Sequence, residues 1–422
     1  MDHFTYRNHK LHCEDVPVEA IASEAGTPVY IYSDATIRHH YRQLADAFAE
    51  VDPLICFSVK TNANGSVLKV LCEEGAGFDV VSGGELFRAL RAGADPSRIV
   101  FAGVGKTERE IRYALEQGIL MFNVESRPEL EAVSRVASGM GVTARVALRC
   151  NPDVDPKTHS YITTGKKENK FGIDFETARS MIANWTRFPH TALAGLHMHI
   201  GSQIVDPTPY GEAARRIAAF LRECRDAGHE VEYFNIGGGF GVYYDNTEAR
   251  TAHELAESIV PVVKETGCRL VMEPGRFVMA NAGILVARVL YVKTAGDKRF
   301  VIVDAAMTDL IRPSLYGSYH FVWPAESDTD MRFTPPTGLP KADVVGGVCE
   351  SGDFLAKDRP LPEVTEGDLL SVFSAGAYGY VMSSTYNSRP RAAEVLVTGE
   401  RWRVVRRRET YEDLVVGEEL GG

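Results

Sequence analysis

The sequence predicts an α/β chain: a (β/α)8 barrel over residues 36–279, then a mostly β domain over 280–422 that also takes in residues 1–35. Three observations predict it. From about residue 50 to 275, short apolar, β-branched runs alternate with amphipathic helical patterns. Near residue 280 that rhythm stops, and strand-like runs follow one another with turns and few helices. The residues that close the earlier runs are polar or glycine, and the C-terminal strand ends are where such a barrel carries its chemistry.

The first run is LICFSV (Leu54–Val59), followed by FDVVS (Phe78–Ser82), RIVFAG (Arg98–Gly103) and ILMFNV (Ile119–Val124). ARVALRC (Ala144–Cys150), LAGLHMHI (Leu193–Ile200), VEYFNIGGG (Val231–Gly239) and RLVMEPG (Arg269–Gly275) complete eight. Between them, segments such as GSVLKVLCEEG and SRPELEAVSRVASGM space apolar residues three and four apart, the helical period. Repeated strand–helix units imply a parallel sheet, and eight of them a closed barrel, with an open doubly wound sheet as the alternative. Beyond them come GILVARVLYVKTA, RFVIVDA, ADVVGGVCE, LLSVFSAG, AAEVLVTG and RWRVV, and PVYIYS near the N-terminus is one more strand. FTPPTGLP and DRPLPE read as surface loops.

Forty-six Lys and Arg against 57 Asp and Glu leave a net charge of −11, which argues against general nucleic-acid binding. A local arginine cluster can still receive an anionic substrate. Seven scattered cysteines with no CxxC pair argue against a disulfide scaffold or a zinc site, and no metal is expected. They suit a reducing, cytoplasmic location. The polar N-terminus and the lack of any apolar run near ~18 residues predict neither signal peptide nor membrane span.

The residues at the run ends are Lys60, Ser82, Glu125, Asn151, His199, Gly237, Gly238 and Gly239, and Glu273 with Arg276. Singly, each has a plain structural reading. Most lysines are solvated, a histidine on an apolar strand is usually a satisfied core residue, and a glycine triplet is usually a turn. Together they outline one site with an amine, an imidazole, a glycine nest and a carboxylate–arginine pair.

The same residues lie in FSVKTN, GFDVVSGGEL, HMHIGSQ, NIGGGFG and MEPGR, which are followed by CESGD and AGAYGY. In this order they resemble the fold-type III decarboxylases dependent on pyridoxal 5′-phosphate. The resemblance covers nearly the whole chain, including HSYITTGKKENKFGI and SSTYNSRPRAAEVLV. It implies that Lys60 holds the cofactor as an imine, which suits an amine facing an aldehyde. It implies that Glu273 faces the pyridine nitrogen, that Pro274 and Gly275 shape the turn, and that Arg276 brings a fixed charge. Gly237–Gly239 and Ser202 would hold the phosphate, a barrel feature after strands seven and eight. His199 would stack on the ring with His197 behind it, and Asp79 would lie near the cofactor.

By the same resemblance, Cys349 returns a proton after CO2 leaves, and Glu350 holds the far amino group of the substrate. Both come from a partner subunit, so a homodimer with composite sites is implied. Tyr378 would touch cofactor and substrate, and Arg312 and Tyr316 the distal substrate end. Within the family the chain is most similar to members acting on meso-2,6-diaminopimelate. The implied reaction yields L-lysine and CO2, the last step of lysine biosynthesis, with loss at the D-configured centre. Two arginines suit a second carboxylate, and Glu350 a second ammonium.

Decarboxylases of ornithine, arginine or a carboxylated polyamine are the nearest alternative and lack the need for two arginines. Alanine racemase shares the fold class but not CESGD. An inactive relative serving as a regulator, or a cofactor carrier, is the non-enzyme alternative. VVGGVCESGD departs from the family by carrying Gly346-Gly347 where Gly-Pro is favoured, which bears on loop rigidity.

Overall fold

The computed structural model describes residues 2–154, 170–244, 251–328 and 337–420. The chain divides into two compact units, one of His40–Val242 with Glu248–Phe277, the other of Met1–His39, Tyr243–Thr247 and Val278–Gly422.

The first unit is the (β/α)8 barrel. Its strands are Leu54–Ser58, Gly77–Val80, Ile99–Phe101, Met121–Val124, Ala144–Arg149, Thr191–His197, Tyr233–Asn235 and Arg269–Met272. All neighbours pair in parallel, and the eighth strand closes on the first through Val271 opposite Leu54. Local chemistry starts and stops the intervening helices. Thr107 and Glu110 form a capping box before Glu108–Gln117, and Gly118 in the left-handed region ends that helix. Asn64, Ser82, Ser126 and Asp174 cap other helices through their side chains.

Alternation along the strands sets the interior. Cys56, Met121, Ala147 and Val271 form an apolar cluster with Leu54 and Val100. Two residues further along the same faces stand Ser58, Asn123, Arg149 and Glu273, all buried. Asp79, His197 and Asn235 join them, none more than 1% exposed. An apolar floor thus carries a polar layer toward the C-terminal strand ends.

The second unit is mostly β. Its main sheet runs Phe354–Pro360, Lys341–Val345, Lys298–Val303, Gly283–Ala295, Val29–Ser33, Ala393–Thr398 and Arg401–Arg406. Leu369–Val372 and Val322–Pro324 extend it beside Gly283–Ala295. Val29–Ser33 lies between Gly283–Ala295 and Ala393–Thr398, so the N-terminal segment is integral to this sheet. Val29, Ile31, Ile284, Val286, Val395 and Trp323 share one core cluster.

Three expectations change. DRPLPE is not wholly a loop: Phe354–Pro360 is a strand that pairs with Lys341–Val345, and Leu361 is fully buried, as its apolar side chain favours. The sixth barrel strand ends at His197, so His199 lies past it, with Met198 buried between them. Cys349 lies in a bend beyond Lys341–Val345, not in a strand, and is exposed. Most of HSYITTGKKENKFGI (159–169) and part of FTPPTGLP (333–336) fall outside the described residues. Among the described residues no helix is long and apolar enough to cross a membrane.

Candidate active site

The barrel unit brings eleven of the expected residues to one set of strand ends. Lys60 lies in a short 3-10 turn, Val59–Thr61, directly after the first strand. Its side chain is 41% exposed, and Nζ is 2.9 Å from Asp79, whose side chain is fully buried. The lysine is therefore reachable yet tethered. The Ser58 hydroxyl donates to Asp79 at 2.7 Å and is 3.0 Å from the Glu273 carbonyl, joining the first, second and eighth strands. Asp79 Oδ1 is buried with no hydrogen-bond partner among the described residues. Burial pushes the Asp79 carboxyl up, against the opposing pull of Lys60.

Glu273 follows the eighth strand. Its Oε1 accepts from Asn123 Nδ2 and from Asn235 Nδ2, each at 2.7 Å, and Oε2 is 3.3 Å from His197 Nε2. Burial acts to raise its carboxyl, but His197, Lys60 and the Asn235 bond prevail and hold it well below the usual carboxylate range. Glu273 is thus a buried carboxylate whose surroundings favour its charged form. His199 accepts the Gly238 amide on Nδ1 at 3.2 Å. Desolvation, then the charges of Arg149 and Lys60, push its imidazole well below the usual range, so it stays neutral near pH 7.

Only glycine fits the turn after the seventh strand. A Cβ at Gly238 would sit 2.0 Å from the Glu273 carbonyl oxygen, and one at Gly239 2.0 Å from that of Gly201. Gly237 and Gly239 also have φ of +67° and +100°. Gly275 is forced as well, since its Cβ would meet the Thr61 hydroxyl. The peptide between the glutamate and that glycine, at Pro274, accepts the Ser58 amide at 3.0 Å. Arg276 is buried and donates to Ser202 at 3.3 Å, so a guanidinium and a hydroxyl stand together.

The remaining expected residues belong to the other unit. Buried Arg312 opens the short helix Arg312–Tyr316 and lies within 6 Å of three rings: Tyr244 at 5.6 Å, and Tyr316 and Tyr378 at 5.9 Å. Tyr378 holds φ at +56°, rare for a side chain of its size. Cys349 and Glu350 are both exposed, on a loop fixed through its backbone. Asp353 accepts Val348 N and Met307 N at 2.7 Å each, Asn387 accepts Cys349 N at 2.9 Å, and Ser314 bonds the Gly352 carbonyl. Three side chains thus anchor the loop through its backbone.

Of the strand-end residues without an assigned role, Ser82 is a helix cap and Asn151 binds the Phe171 carbonyl. Glu125 pairs with buried Arg149 at 3.0 Å. Sequence reasoning missed Asn123 and Asn235. Each is an amide on the inward face of an apolar strand, two positions past a hydrophobic or aromatic residue, and that was the available signal.

A reachable amine beside a buried carboxylate, a second buried carboxylate held toward its charged form, and an arginine and serine at strand ends bearing a glycine turn define a pyridoxal-phosphate barrel enzyme. Residues 34–280 match the family described as "Pyridoxal-dependent decarboxylase, pyridoxal binding domain". The chain is 48% identical to diaminopimelate decarboxylase of Pseudomonas aeruginosa over 421 residues, covering 100% of this chain and 99% of that protein. It is 45% identical to the Aquifex aeolicus diaminopimelate decarboxylase, covering 97% and 96%. Its fold is similar to the crystal structure of the Helicobacter pylori diaminopimelate decarboxylase complexed with L-lysine, with TM-score 0.89, 40% identity and coverage of 94% and 98%. The chain belongs to the pyridoxal-dependent decarboxylases, and within them to the diaminopimelate decarboxylase family. Its cofactor is pyridoxal 5′-phosphate.

Proposed function

We infer that the protein removes CO2 from meso-2,6-diaminopimelate at its D-configured centre and releases L-lysine. The observation that carries the substrate is similarity to diaminopimelate decarboxylases along the full chain, at 48% identity in the Pseudomonas aeruginosa relative. When bound, the cofactor supplies an electron sink for the charge left as CO2 departs.

The protein's own residues hold and orient. Lys60 anchors the cofactor through its amine and is afterwards free to move protons. Its partial exposure and its contact with Asp79 support this. Glu273, the buried anion, keeps the ring nitrogen protonated. The Gly237–Gly239 turn, Ser202 and Arg276 receive the phosphate, with Pro274 and Gly275 shaping the last turn. His199, neutral and next to the glycine turn, packs on the ring. Arg312 binds the distal carboxylate, which a planar guanidinium recognises well, with Tyr316 and Tyr378 beside it. Arg276 assists at the substrate.

The active form is a homodimer in which Cys349 of the partner subunit protonates the reacting carbon and Glu350 of the partner subunit holds the distal ammonium. Their exposure on a backbone-fixed loop supports that reading. Seven free cysteines support work in the reducing cytoplasm.

The test is a substrate panel. Purified protein with pyridoxal 5′-phosphate is given diaminopimelate, ornithine, arginine and lysine, and CO2 is measured. Release from diaminopimelate alone is expected; release from ornithine without diaminopimelate overturns the substrate.

A further inference from the structure

The layer beneath the strand ends contains a feature that the assigned roles do not use. Glu273 is buried, and its two oxygens are treated differently. Oε1 takes two amide donors at 2.7 Å, from Asn123 and Asn235, and among the described residues Oε2 meets only the more distant His197 Nε2 at 3.3 Å. Both asparagines are fully buried.

The two amides are held differently. Asn235 Oδ1 accepts the Gly237 amide at 2.9 Å, which directs its Nδ2 to the carboxylate. The Glu273 amide in turn donates to the Gly237 carbonyl at 2.8 Å. One side chain thus ties the glycine turn to the anion. Asn123 is held through its main chain: its backbone carbonyl accepts Lys106 Nζ at 2.8 Å, and Lys106 also binds the Gly103 carbonyl at 2.8 Å and Glu129 at 2.6 Å, while the Asn123 side-chain Oδ1 is buried with no hydrogen-bond partner among the described residues.

We propose that Asn123 and Asn235 are positioning residues that clamp Glu273 through Oε1, leaving Oε2 as the oxygen with capacity for a further donor. The proposal rests on the reading that Glu273 serves the cofactor ring. The physical logic is that two neutral donors stabilise a buried carboxylate by charge-assisted hydrogen bonds. A lysine or arginine in their place would stabilise it too, but would cancel the charge that the ring nitrogen requires. With Oε1 doubly occupied, the carboxylate has one free direction, so the clamp fixes orientation as well as charge.

The experiment compares Asn123→Leu, Asn235→Leu and Asn235→Asp, each alone and in a Glu273→Gln background. Three quantities are read: pyridoxal-phosphate affinity of the apoprotein, the pH dependence of the bound cofactor's absorbance, and kcat with KM. Each leucine variant should lower kcat by roughly 10- to 100-fold with KM within about threefold. Asn235→Asp keeps the acceptor for Gly237 but sets a second carboxylate against Glu273, so the absorbance midpoint should move by about one pH unit or more. In the Glu273→Gln background the same substitutions should cost less than about twofold, because the charge they support is gone. Melting curves identify any variant that fails to fold, and Asn123→Ser and Asn235→Ser, smaller and still donors, then replace it.

Equal losses in both backgrounds would show a merely structural role and overturn the clamp. Wild-type kcat and spectrum in the asparagine variants, with Glu273→Gln impaired, would overturn the clamp and leave the role of Glu273 standing. Wild-type kcat in Glu273→Gln would remove that role itself.

Discussion

The two groups of expected site residues are held by different means. At the barrel's strand ends the side chains hold one another. Asp79 takes Lys60 and Ser58, Glu273 takes two asparagines, and His199 takes the Gly238 amide. In the β unit it is the backbone of the Cys349 loop that is fixed, by Asp353 and Asn387, while the Cys349 and Glu350 side chains face outward. A closed barrel has a buried interior, and a buried polar group must find partners there or cost several kcal/mol. An exposed loop has no such obligation. It can present side chains to a partner, provided its amides are anchored. The barrel therefore pre-orients chemistry internally, and the loop is suited to deliver chemistry elsewhere.

The most damaging way to break the barrel arrangement is Lys60→Ala. It should abolish the visible absorbance of the bound cofactor and reduce turnover by about 10^3-fold or more. The fold should survive. Asp79, whose carboxyl burial already raises, takes up a proton in place of its ion pair. Spectra and melting curves at pH 7 check both halves, and a retained band would show that another lysine anchors the cofactor.

The delivery reading predicts complementation. Lys60→Ala and Cys349→Ala are each inactive, but mixed subunits should regain about a quarter of wild-type activity, since half the dimers are mixed and each has one intact site. Continued inactivity after subunit exchange has been verified would mean that each chain uses its own Cys349.

The barrel was legible in the sequence because its signal is periodic. Eight apolar runs with helices between them leave few alternatives, and the strand ends follow from where each run stops. Lys60, His199, the glycine triplet and Glu273 stood out there as polar or glycine after apolar runs. Asn123 and Asn235 did not, because each lies within a run and shows its role only when distant strands bring it onto Glu273. Cys349 looked like a strand residue because ADVV leads into it, but the strand stops at Val345. The reason is long-range. A Cβ at Gly346 would lie 2.5 Å from Ala306 and 2.6 Å from the Asp353 carboxylate, so the chain leaves the sheet where those two segments meet.

That junction can be loosened. Asp353→Asn removes the charge that both Val348 and Met307 amides address, and leaves one amide without an acceptor, a cost of about 1–3 kcal/mol. Cys349 should then react several-fold faster with a thiol reagent, and kcat should fall about tenfold. Of the other six cysteines, five are buried and only Cys72 is partly exposed, so a Cys72→Ala background isolates the signal. An unchanged labelling rate would mean the loop is set by something other than Asp353.

The smallest effect on turnover, and the finest separation of the two units, comes from pH. Burial raises Asp309 of the β unit from 3.8 to about 6, and raises Glu85 of the barrel unit from 4.5 to about 7. A carboxyl raised on folding prefers to be protonated in the native state. Its contribution is complete below the unfolded value and is lost as pH rises through the folded one. The β unit should therefore lose about 3 kcal/mol between pH 4 and 6.5 through Asp309, two pKa units being worth that much. Asp309→Asn keeps an acceptor for the Ala306 amide and should flatten denaturant unfolding across that window. Glu85→Gln should flatten a separate component between about pH 4.5 and 7. If both substitutions flatten the same transition, the two units unfold as one cooperative body. If Asp309→Asn leaves the slope untouched, its carboxylate is ionised in the folded protein at pH 5, and the Ala306 amide and the Arg389 charge outweigh burial.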